Sequence, residues 1–220
     1  MNATATGIGA SGQGELRAPG GHGRKLEDGR THHASKRIIA GYGFWIFLIS
    51  DIILFSAFFA TYAVLTDSTA GGPGGRSLFD LKNVAIETGC LLTSSMTCGL
   101  ASIGARFRRG DLFQGAMAVT FVLGAMFIAL EVHEFARLVR AGNGPTRSAF
   151  LSAFFALIGC HGLHVSAGLL WLLTMMAQVR AKGYRPEILR RILCFSLFWH
   201  TLDIVWIGLF SLVYLVGVAR

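Results

Sequence analysis

Five long apolar runs, separated by short polar stretches, dominate the pattern of hydrophobic and polar positions along this chain of 220 residues. We place the runs at residues 39–66, 84–105, 112–136, 148–179 and 190–219. Each reaches or exceeds the roughly 20 residues that a helix needs to cross about 30 Å of hydrocarbon. Backbone groups in lipid must be paired within their own segment, so these runs are expected to be helices. The pattern therefore predicts an all-α protein, a bundle of five transmembrane helices.

Residues 1–36 precede the first run and are rich in Gly, Ser, Thr and charged side chains. They contain no apolar core of the kind that a cleaved secretory signal requires. Such a segment buries too little apolar surface to offset its chain entropy. We therefore expect a disordered cytoplasmic tail at 1–36 and a membrane domain at 37–220. The basic side chains of the tail leave a contact with lipid headgroups open, as an alternative to a solvated tail.

The distribution of basic residues predicts the orientation in the membrane. Most of the 20 Lys and Arg residues lie in the N-terminal tail, the 106–111 turn and the 180–191 loop. Fewer lie in the 67–83 and 137–147 loops. Because connections rich in Lys and Arg stay in the cytoplasm, the N-terminus is expected there. After five crossings the C-terminus is expected outside.

The composition excludes several other classes of protein. The chain is 53% hydrophobic and only 15% charged, whereas soluble domains carry roughly 25% charged residues. The formal net charge of +8 raises the question of nucleic acid. Nucleic-acid binding needs basic residues clustered on a polar surface, whereas here they flank apolar runs, so we expect no such partner. The four cysteines lie within apolar runs without CxxC spacing and are interpreted as packing residues.

Small and aromatic side chains predict how the helices pack and where they meet the membrane surface. Small residues at every fourth position let helix backbones approach closely in lipid. They occur at Cys90, Ser94, Cys98 and Ser102, and at Ser152, Ala156, Cys160 and Gly168, a face that also includes His164. Aromatic residues near helix ends are expected to anchor at the membrane–water interface. These are Tyr42, Trp45, Tyr62 and Tyr214.

Asp51 is the clearest polar residue at membrane depth, because it lies about halfway along the first apolar run. No basic residue lies within one helical turn of it. A charge there costs at least a few kcal/mol, so the carboxyl must be protonated or paired with a group on another helix. The residues leave two interpretations open. Asp51 either handles protons or gates lipid, or it forms a neutral hydrogen bond that locks the bundle.

Further ionisable residues lie within the later runs and suggest either a polar network or a metal site. Their positions are Glu87, Glu131, His133, Glu134, His161, His164, His200 and Asp203. The two histidines of the fourth run, and the His and Asp of the fifth, are spaced i, i+3 and so share a helical face. Di-iron bundles use Glu-x-x-His, which is absent here. We favour a buried network between helices and keep a metal site of His161, His164, Glu131 and Asp203 as the alternative.

At these positions the sequence resembles subunit III of haem–copper terminal oxidases. The resemblance is carried by the segments GFWIFLISDIILFSAFFATYAVL, ALEVHEF, FLSAFFALIGCHGLHVSAGLLWL and SLFWHTLDIVWIGLFSLVYL. It covers about residues 36 to 219 and is greatest to the versions found in ubiquinol oxidases of the cytochrome bo type. The resemblance implies a non-catalytic subunit of a bacterial inner-membrane complex that oxidises quinol, reduces oxygen to water and pumps protons.

The resemblance also implies cofactors, partners and residue roles. Such a subunit binds no haem or copper itself, since these reside in partner subunits. It packs on subunit I, with II and IV as further partners, binds phospholipid and supports proton uptake and turnover stability. Asp51 matches the intramembrane carboxylate of the family. The other matching residues are expected to form a structural polar network, and they are Glu131, Glu134, His161, His164, His200, Asp203 and Trp206.

Two departures from the family limit what is carried over to this chain. The two helices that begin many seven-helix versions are absent, so the lipid cleft that they wall is expected to be open or differently filled. The carboxylate is Asp rather than Glu, which weakens a proton-antenna role for it. Two other functions stay open on the sequence alone. They are a subunit III-like protein associated with nitric oxide reductase, and a membrane metalloenzyme.

Overall fold

The structure, a computed structural model, describes residues 23–71 and 81–215, with side chains from residue 41 onward. The described residues form five α-helices and no strands. The helices are α1 (Gly23–Leu65), α2 (Leu81–Arg106), α3 (Gly110–Arg140), α4 (Ala149–Lys182) and α5 (Pro186–Leu209), which a π-helical turn at Phe210–Leu215 continues. All five contain a segment long and apolar enough to cross a membrane. The prediction of five helices that can cross a membrane is confirmed.

α1 begins at Gly23, ahead of the first apolar run, and its Gly41–Leu65 part has the composition of a membrane span. No proline interrupts residues 23–65, so nothing in the sequence forces the helix to stop at the membrane surface. The helix therefore includes part of the segment for which we expected disorder. The expectation for residues 1–22 lies outside the described residues. Contacts divide the chain into two compact units, Met1–Gly43 and Phe44–Arg220.

Four helices of the second unit enclose its core. α2 and α4 each pack along both α3 and α5, which gives a closed arrangement of four helices. The turn between α2 and α3 is short, and Gly104 lies so close to α3 that an added Cβ would come within 3.0 Å of the Phe113 amide nitrogen. Large side chains fill the interior, among them Phe113, Phe127, Phe154 and Trp199. Short connections of this kind make consecutive helices antiparallel neighbours.

The membrane part of α1 joins this four-helix arrangement mainly through aromatic side chains. Its backbone stays farther from the other helices than they are from one another. Ring contacts nevertheless occur along its length, from Phe44 against Trp171 to Tyr62 against Phe150. Phe59 fills the space above Gly208 of α5. Large rings therefore bridge a gap that small side chains would leave open.

The predicted packing faces and anchors are partly wrong. Cys90, Ser94 and Cys98 of α2 are buried, as expected from their small size and spacing. In α4 the structure exposes Ser152 and Ala156, because α4 turns its bulky apolar face to the core. Of the four aromatic residues predicted to be surface anchors, Tyr42 and Trp45 are exposed, whereas Tyr62 and Tyr214 are buried between helices.

Candidate functional site

Asp51 faces His164 across the interface between α1 and α4. The Oδ1 atom of Asp51 lies 3.6 Å from Nε2 of His164, and both side chains keep some exposure, 14% and 22%. The sequence left two options for this carboxyl, protonation or a partner on another helix, and the structure places a histidine of another helix beside it. Phe55 of α1 packs against the His164 ring, with 5.3 Å between the ring centroids. This contact keeps the histidine beside α1.

The hydrogen bonding of His164 determines what the pair can do. Its Nδ1 lies 2.7 Å from the carbonyl oxygen of Cys160. A carbonyl only accepts, so Nδ1 must carry a hydrogen and donate it. In a neutral ring Nε2 then presents a lone pair to Asp51. At 3.6 Å, Oδ1 of Asp51 lies just beyond hydrogen-bond distance from Nε2. A small movement of either side chain would bring the two atoms into contact.

Three glutamates form a buried cluster at the end of the bundle where α1 ends and α2 begins. Glu87 of α2, and Glu131 and Glu134 of α3, are each at most 5% exposed. They lie close enough to interact electrostatically with one another. The Glu131 carboxyl occupies the space beside Gly162 of α4, where an added Cβ would come within 2.6 Å of Oε1. The sequence placed Glu87 near this end but gave no pattern that joined it to the pair on α3.

His161 lies in the core rather than beside His164. It is fully buried and stacks on Trp206 of α5, with 5.2 Å between the ring centroids and 29° between the planes. The Trp206 indole Nε1 in turn donates to Oγ1 of Thr88 on α2, at 3.0 Å. This stack connects α4, α5 and α2. The sequence predicted a structural role for His161 and Trp206 but did not show that they touch.

A second set of contacts connects α5 to α2 near the middle of the membrane. The Trp199 indole Nε1 donates to Ser94 Oγ at 3.1 Å. His200 Nδ1 lies 2.7 Å from Ser95 Oγ and 3.8 Å from Asp203 Oδ2. Asp203 is buried, whereas the His200 side chain is 42% exposed. His200 was expected within a buried network, and its ring contacts Ser95 and Asp203 while part of the side chain stays exposed.

The residues of the alternative metal site are not arranged as one ligand set. Within residues 41–71 and 81–215, no group of three or more His, Cys, Asp or Glu side chains could hold a metal ion together. His161 stacks on a tryptophan, His164 faces Asp51, and Asp203 lies beside His200. The polar groups instead occur as separate contacts, most of them between helices, and as the cluster of three glutamates. The contacts between helices hold the bundle together.

Comparisons with known proteins match one family along most of the chain. The model of the cytochrome c oxidase subunit III family matches residues 27–218. The chain is 53% identical to subunit 3 of the cytochrome bo(3) ubiquinol oxidase of Pseudomonas aeruginosa over 176 residues, which is 80% of this chain and 84% of that protein.

Two further relatives extend the comparison to other bacteria. Subunit 3 of the cytochrome bo(3) ubiquinol oxidase of Buchnera aphidicola subsp. Baizongia pistaciae is 44% identical over 187 residues, which is 85% of this chain and 95% of that protein. Quinol oxidase subunit 3 of Bacillus subtilis is 44% identical over 178 residues, which is 80% of this chain and 86% of that protein. Each of the three relatives is covered over most of its length.

Proposed function

Because this chain belongs to the cytochrome c oxidase subunit III family, we propose that it is the accessory subunit III of a quinol oxidase that reduces oxygen to water. The relatives that it resembles are named as subunits of ubiquinol and quinol oxidases rather than of nitric oxide reductases. In this proposal haems and copper belong to partner subunits, and this chain supports their reaction without binding them.

The observation that carries the accessory role is the pairing of polar groups between helices. Trp206 reaches Thr88, Trp199 reaches Ser94, and Asp51 reaches His164. Each pair connects two helices and uses the polar atoms for that purpose. A subunit built to position a partner within the membrane needs such a rigid bundle, whereas a catalytic centre needs several reactive groups that converge on one point.

The Asp51–His164 pair supports a part in proton uptake. Oδ1 and Nε2 lie 3.6 Å apart, so a small movement of either side chain would bring them within the distance at which a proton can pass, and both side chains remain partly accessible at the surface of the bundle. A carboxylate and a histidine in contact within a membrane span are the groups of which proton relays are made. We assign the pair the role of holding a proton near the uptake path of the oxidase and so of sustaining its turnover.

The loose attachment of α1 supports a part in lipid binding. Aromatic rings rather than close backbone contact join α1 to the other helices. The outward face of α1 carries exposed apolar residues, among them Ile46, Ile53 and Val64. Phospholipid acyl chains fit such a surface, and their ordering beside Asp51 would connect lipid binding to the proton-holding pair.

We further infer the setting of the subunit. Subunits I, II and IV of the oxidase and membrane lipids are its partners, and the bacterial inner membrane is its location. The N-terminus lies in the cytoplasm and the C-terminus outside, because connections rich in Lys and Arg are retained in the cytoplasm.

Purification of the tagged chain in mild detergent tests the function. We expect a reduced-minus-oxidised visible spectrum with signals of b- and o-type haems in the eluate, together with quinol-dependent oxygen uptake. An eluate without haem and without oxygen uptake, obtained from membranes that contain an active oxidase, would contradict the proposal. Nitric oxide reduction in place of oxygen uptake would favour the reductase-associated alternative.

A further inference from the structure

A groove lies open between α2 and α5 on the surface of the bundle. It has a volume of about 510 Å³, which falls within the range of small-molecule sites in proteins. The residues that line it are Leu92, Thr93, Ser95, Met96, Gly99 and His200. Ser95 lies near the middle of the α2 span, and His200 lies near the middle of the α5 span. The groove therefore opens at the depth of the hydrocarbon core, where an occupant must be soluble in lipid.

The His200 imidazole gives this groove a polar edge. Its Nδ1 lies 2.7 Å from Ser95 Oγ, and Asp203 Oδ2 lies behind the ring, 3.8 Å from the same nitrogen. Because Ser95 belongs to α2 and Asp203 is buried, the ring is held from the protein side. Within residues 41–71 and 81–215, Nε2 has no hydrogen-bond partner. It is the ring nitrogen that remains for a group in the groove.

This nitrogen differs from the exposed hydroxyl groups of the spans. Those hydroxyls donate to a carbonyl oxygen one turn back on their own helix, as Ser56, Thr61 and, in the groove itself, Thr93 do. They need nothing from outside the protein. Nε2 has no such bond, and a polar nitrogen that meets only acyl chains is unfavourable. The groove therefore favours an occupant with a hydrogen-bonding group in the middle of the membrane.

The depth of Nε2 decides which lipid-soluble molecule can satisfy it. Phospholipids carry their hydrogen-bonding atoms at the membrane surface, roughly 15 Å from the middle of a hydrocarbon core about 30 Å thick. An isoprenoid quinone carries its oxygens on a neutral ring that enters the core. These oxygens accept in the quinone and donate in the quinol. Ser95 can donate to Nδ1 or accept from it, which leaves Nε2 as a donor or as an acceptor and so suits both forms.

The other lining residues leave room for a flat ring. Leu92 and Met96 present apolar side chains one turn apart on α2. Gly99 follows on the same helix face, and a Cβ added there would meet nothing within 4 Å, so the space beside the backbone is open. Mostly apolar walls with a few placed polar groups are the usual form of a small-molecule site.

We propose that this groove binds an isoprenoid quinol or quinone, with a ring oxygen hydrogen-bonded to Nε2 of His200 and the ring against Gly99. The inference rests on the proposed function, because a quinol oxidase works in a membrane that supplies this molecule. It adds a place where quinol is held on this subunit, apart from the partner subunits in which the reaction occurs. Binding there transfers no electron. It gives the exposed His200 a role distinct from that of the buried polar contacts.

Photolabelling of the intact, purified oxidase tests the identity of the occupant. Two probes are compared, a ubiquinone with an azide on its ring and a phospholipid with an azide in the middle of an acyl chain. We expect the quinone probe to label the α2 and α5 peptides of this chain, and excess unlabelled ubiquinone to remove that label. Labelling by the phospholipid probe alone, or label that ubiquinone does not remove, would mean that bilayer lipid covers the groove. An absence of label from either probe would mean that protein covers it. Each of these results overturns the proposal.

A substitution at His200 tests the hydrogen bond. His200→Phe keeps a ring but has no nitrogen, and Leu193→Phe is the matched control, which places the same ring at an exposed position of α5 about two turns away. We expect His200→Phe to lower the labelling that ubiquinone removes about tenfold, which corresponds to one lost hydrogen bond of roughly 1.4 kcal/mol. Leu193→Phe should label as the wild type does, and both variants should keep the wild-type haem content. Equal labelling of His200→Phe and the wild type would contradict the assigned contact. The labelling of the unmodified complex decides the proposal if His200→Phe does not assemble.

The outcomes separate the two proposals. If the unmodified chain retains haem and quinol-dependent oxygen uptake but its α2 and α5 peptides take up no quinone label, the proposed function stands and the quinone groove is wrong. If the unmodified chain retains no haem from membranes with an active oxidase, the proposed function fails and the groove proposal fails with it.

Discussion

Asp51 and His164 show how one residue pair connects the sequence to the proposed activity. An ionisable side chain in the middle of a span is costly, so its presence calls for a partner. The structure supplies that partner at 3.6 Å and fixes its tautomer through the Cys160 carbonyl. In the proposed function, this contact is the place where a proton is held within the membrane.

Replacement of Asp51 by Asn tests whether this proton matters. Asn keeps the shape of the side chain and can still contact His164, but it cannot gain or lose a proton. We expect normal assembly and a near-normal initial rate, with the number of turnovers before inactivation reduced about fivefold, an effect of roughly 1 kcal/mol on a rate. Oxygen uptake followed to exhaustion of activity measures this number.

Asp67→Asn is the matched control for this prediction, because it makes the same chemical change at an exposed position after the end of α1. It should behave as the wild type. If Asp51→Asn also keeps the catalytic life of the wild type, the proton is not needed. Asp51 then only forms a hydrogen bond that holds the bundle together.

Single residues also show how far sequence reasoning reaches. It predicted that the Asp51 carboxyl is either protonated or paired with another helix, because a charge at membrane depth is costly. It did not identify His164 as the partner. Helical spacing shows which residues share a face of one helix, but it does not show which faces of two helices contact each other. For the same reason it did not join Glu87 to Glu131 and Glu134, although all three lie near the same end of their spans.

At the scale of helices, α5 holds the bundle together through Trp199. Its ring lies between glycines of two other helices, Gly124 of α3 and Gly168 of α4, while its indole nitrogen donates to Ser94 of α2. Four helices thus meet at one side chain. Both glycines are needed because a Cβ at either position would come within 2.9 Å of a neighbouring side-chain atom.

Gly168→Ala is expected to destabilise the bundle by about 1–3 kcal/mol, the usual cost of overpacking a well-packed core. The added methyl group would lie 2.9 Å from Trp199 Cζ3, and a packed ring cannot move away easily. Gly159→Ala on the same helix is the control, since its Cβ meets Phe135 at an ordinary 3.7 Å. Denaturation in detergent micelles, followed by tryptophan fluorescence, measures the difference. Equal midpoints for the two variants would contradict this packing.

Helices also reveal where sequence patterns mislead. The number of the spans follows from length and hydrophobicity alone, and this prediction is confirmed. The inward face of α4 does not follow, because a helix surrounded by lipid and protein is apolar on all sides. Small residues at Ser152 and Ala156 therefore indicated a packing face that the structure leaves exposed. Burial of Tyr62 and Tyr214 was missed because aromatic residues near helix ends suit both a surface and a core.

At the scale of the whole molecule, the resemblance to subunit III of haem–copper oxidases is confirmed by the family match over residues 27–218. The sequence could predict this because its motifs occur in order along nearly the full chain. It could not predict how far the α1 backbone lies from the four-helix arrangement, because large apolar side chains suit a lipid-facing surface as well as a contact between helices. That separation decides where lipid is expected to bind.

The orientation makes a prediction for the whole chain. Alkaline phosphatase is active only outside the cytoplasm, so a fusion to the C-terminus at Arg220 should be active. A fusion within the 180–191 loop, which is rich in Lys and Arg, should be inactive. Assays of phosphatase activity in intact cells measure both. The reverse pattern would show that the chain is inserted with its N-terminus outside.

The most direct test of the accessory role is the catalytic life of the oxidase prepared with and without this subunit. We predict that the preparation without it keeps its haem spectrum and most of its initial rate of quinol-dependent oxygen uptake. It should then inactivate after several-fold fewer turnovers than the complete complex, and addition of the purified subunit should restore the longer life. Loss of haem signals from the preparation without the subunit, or an unchanged number of turnovers, would contradict the account.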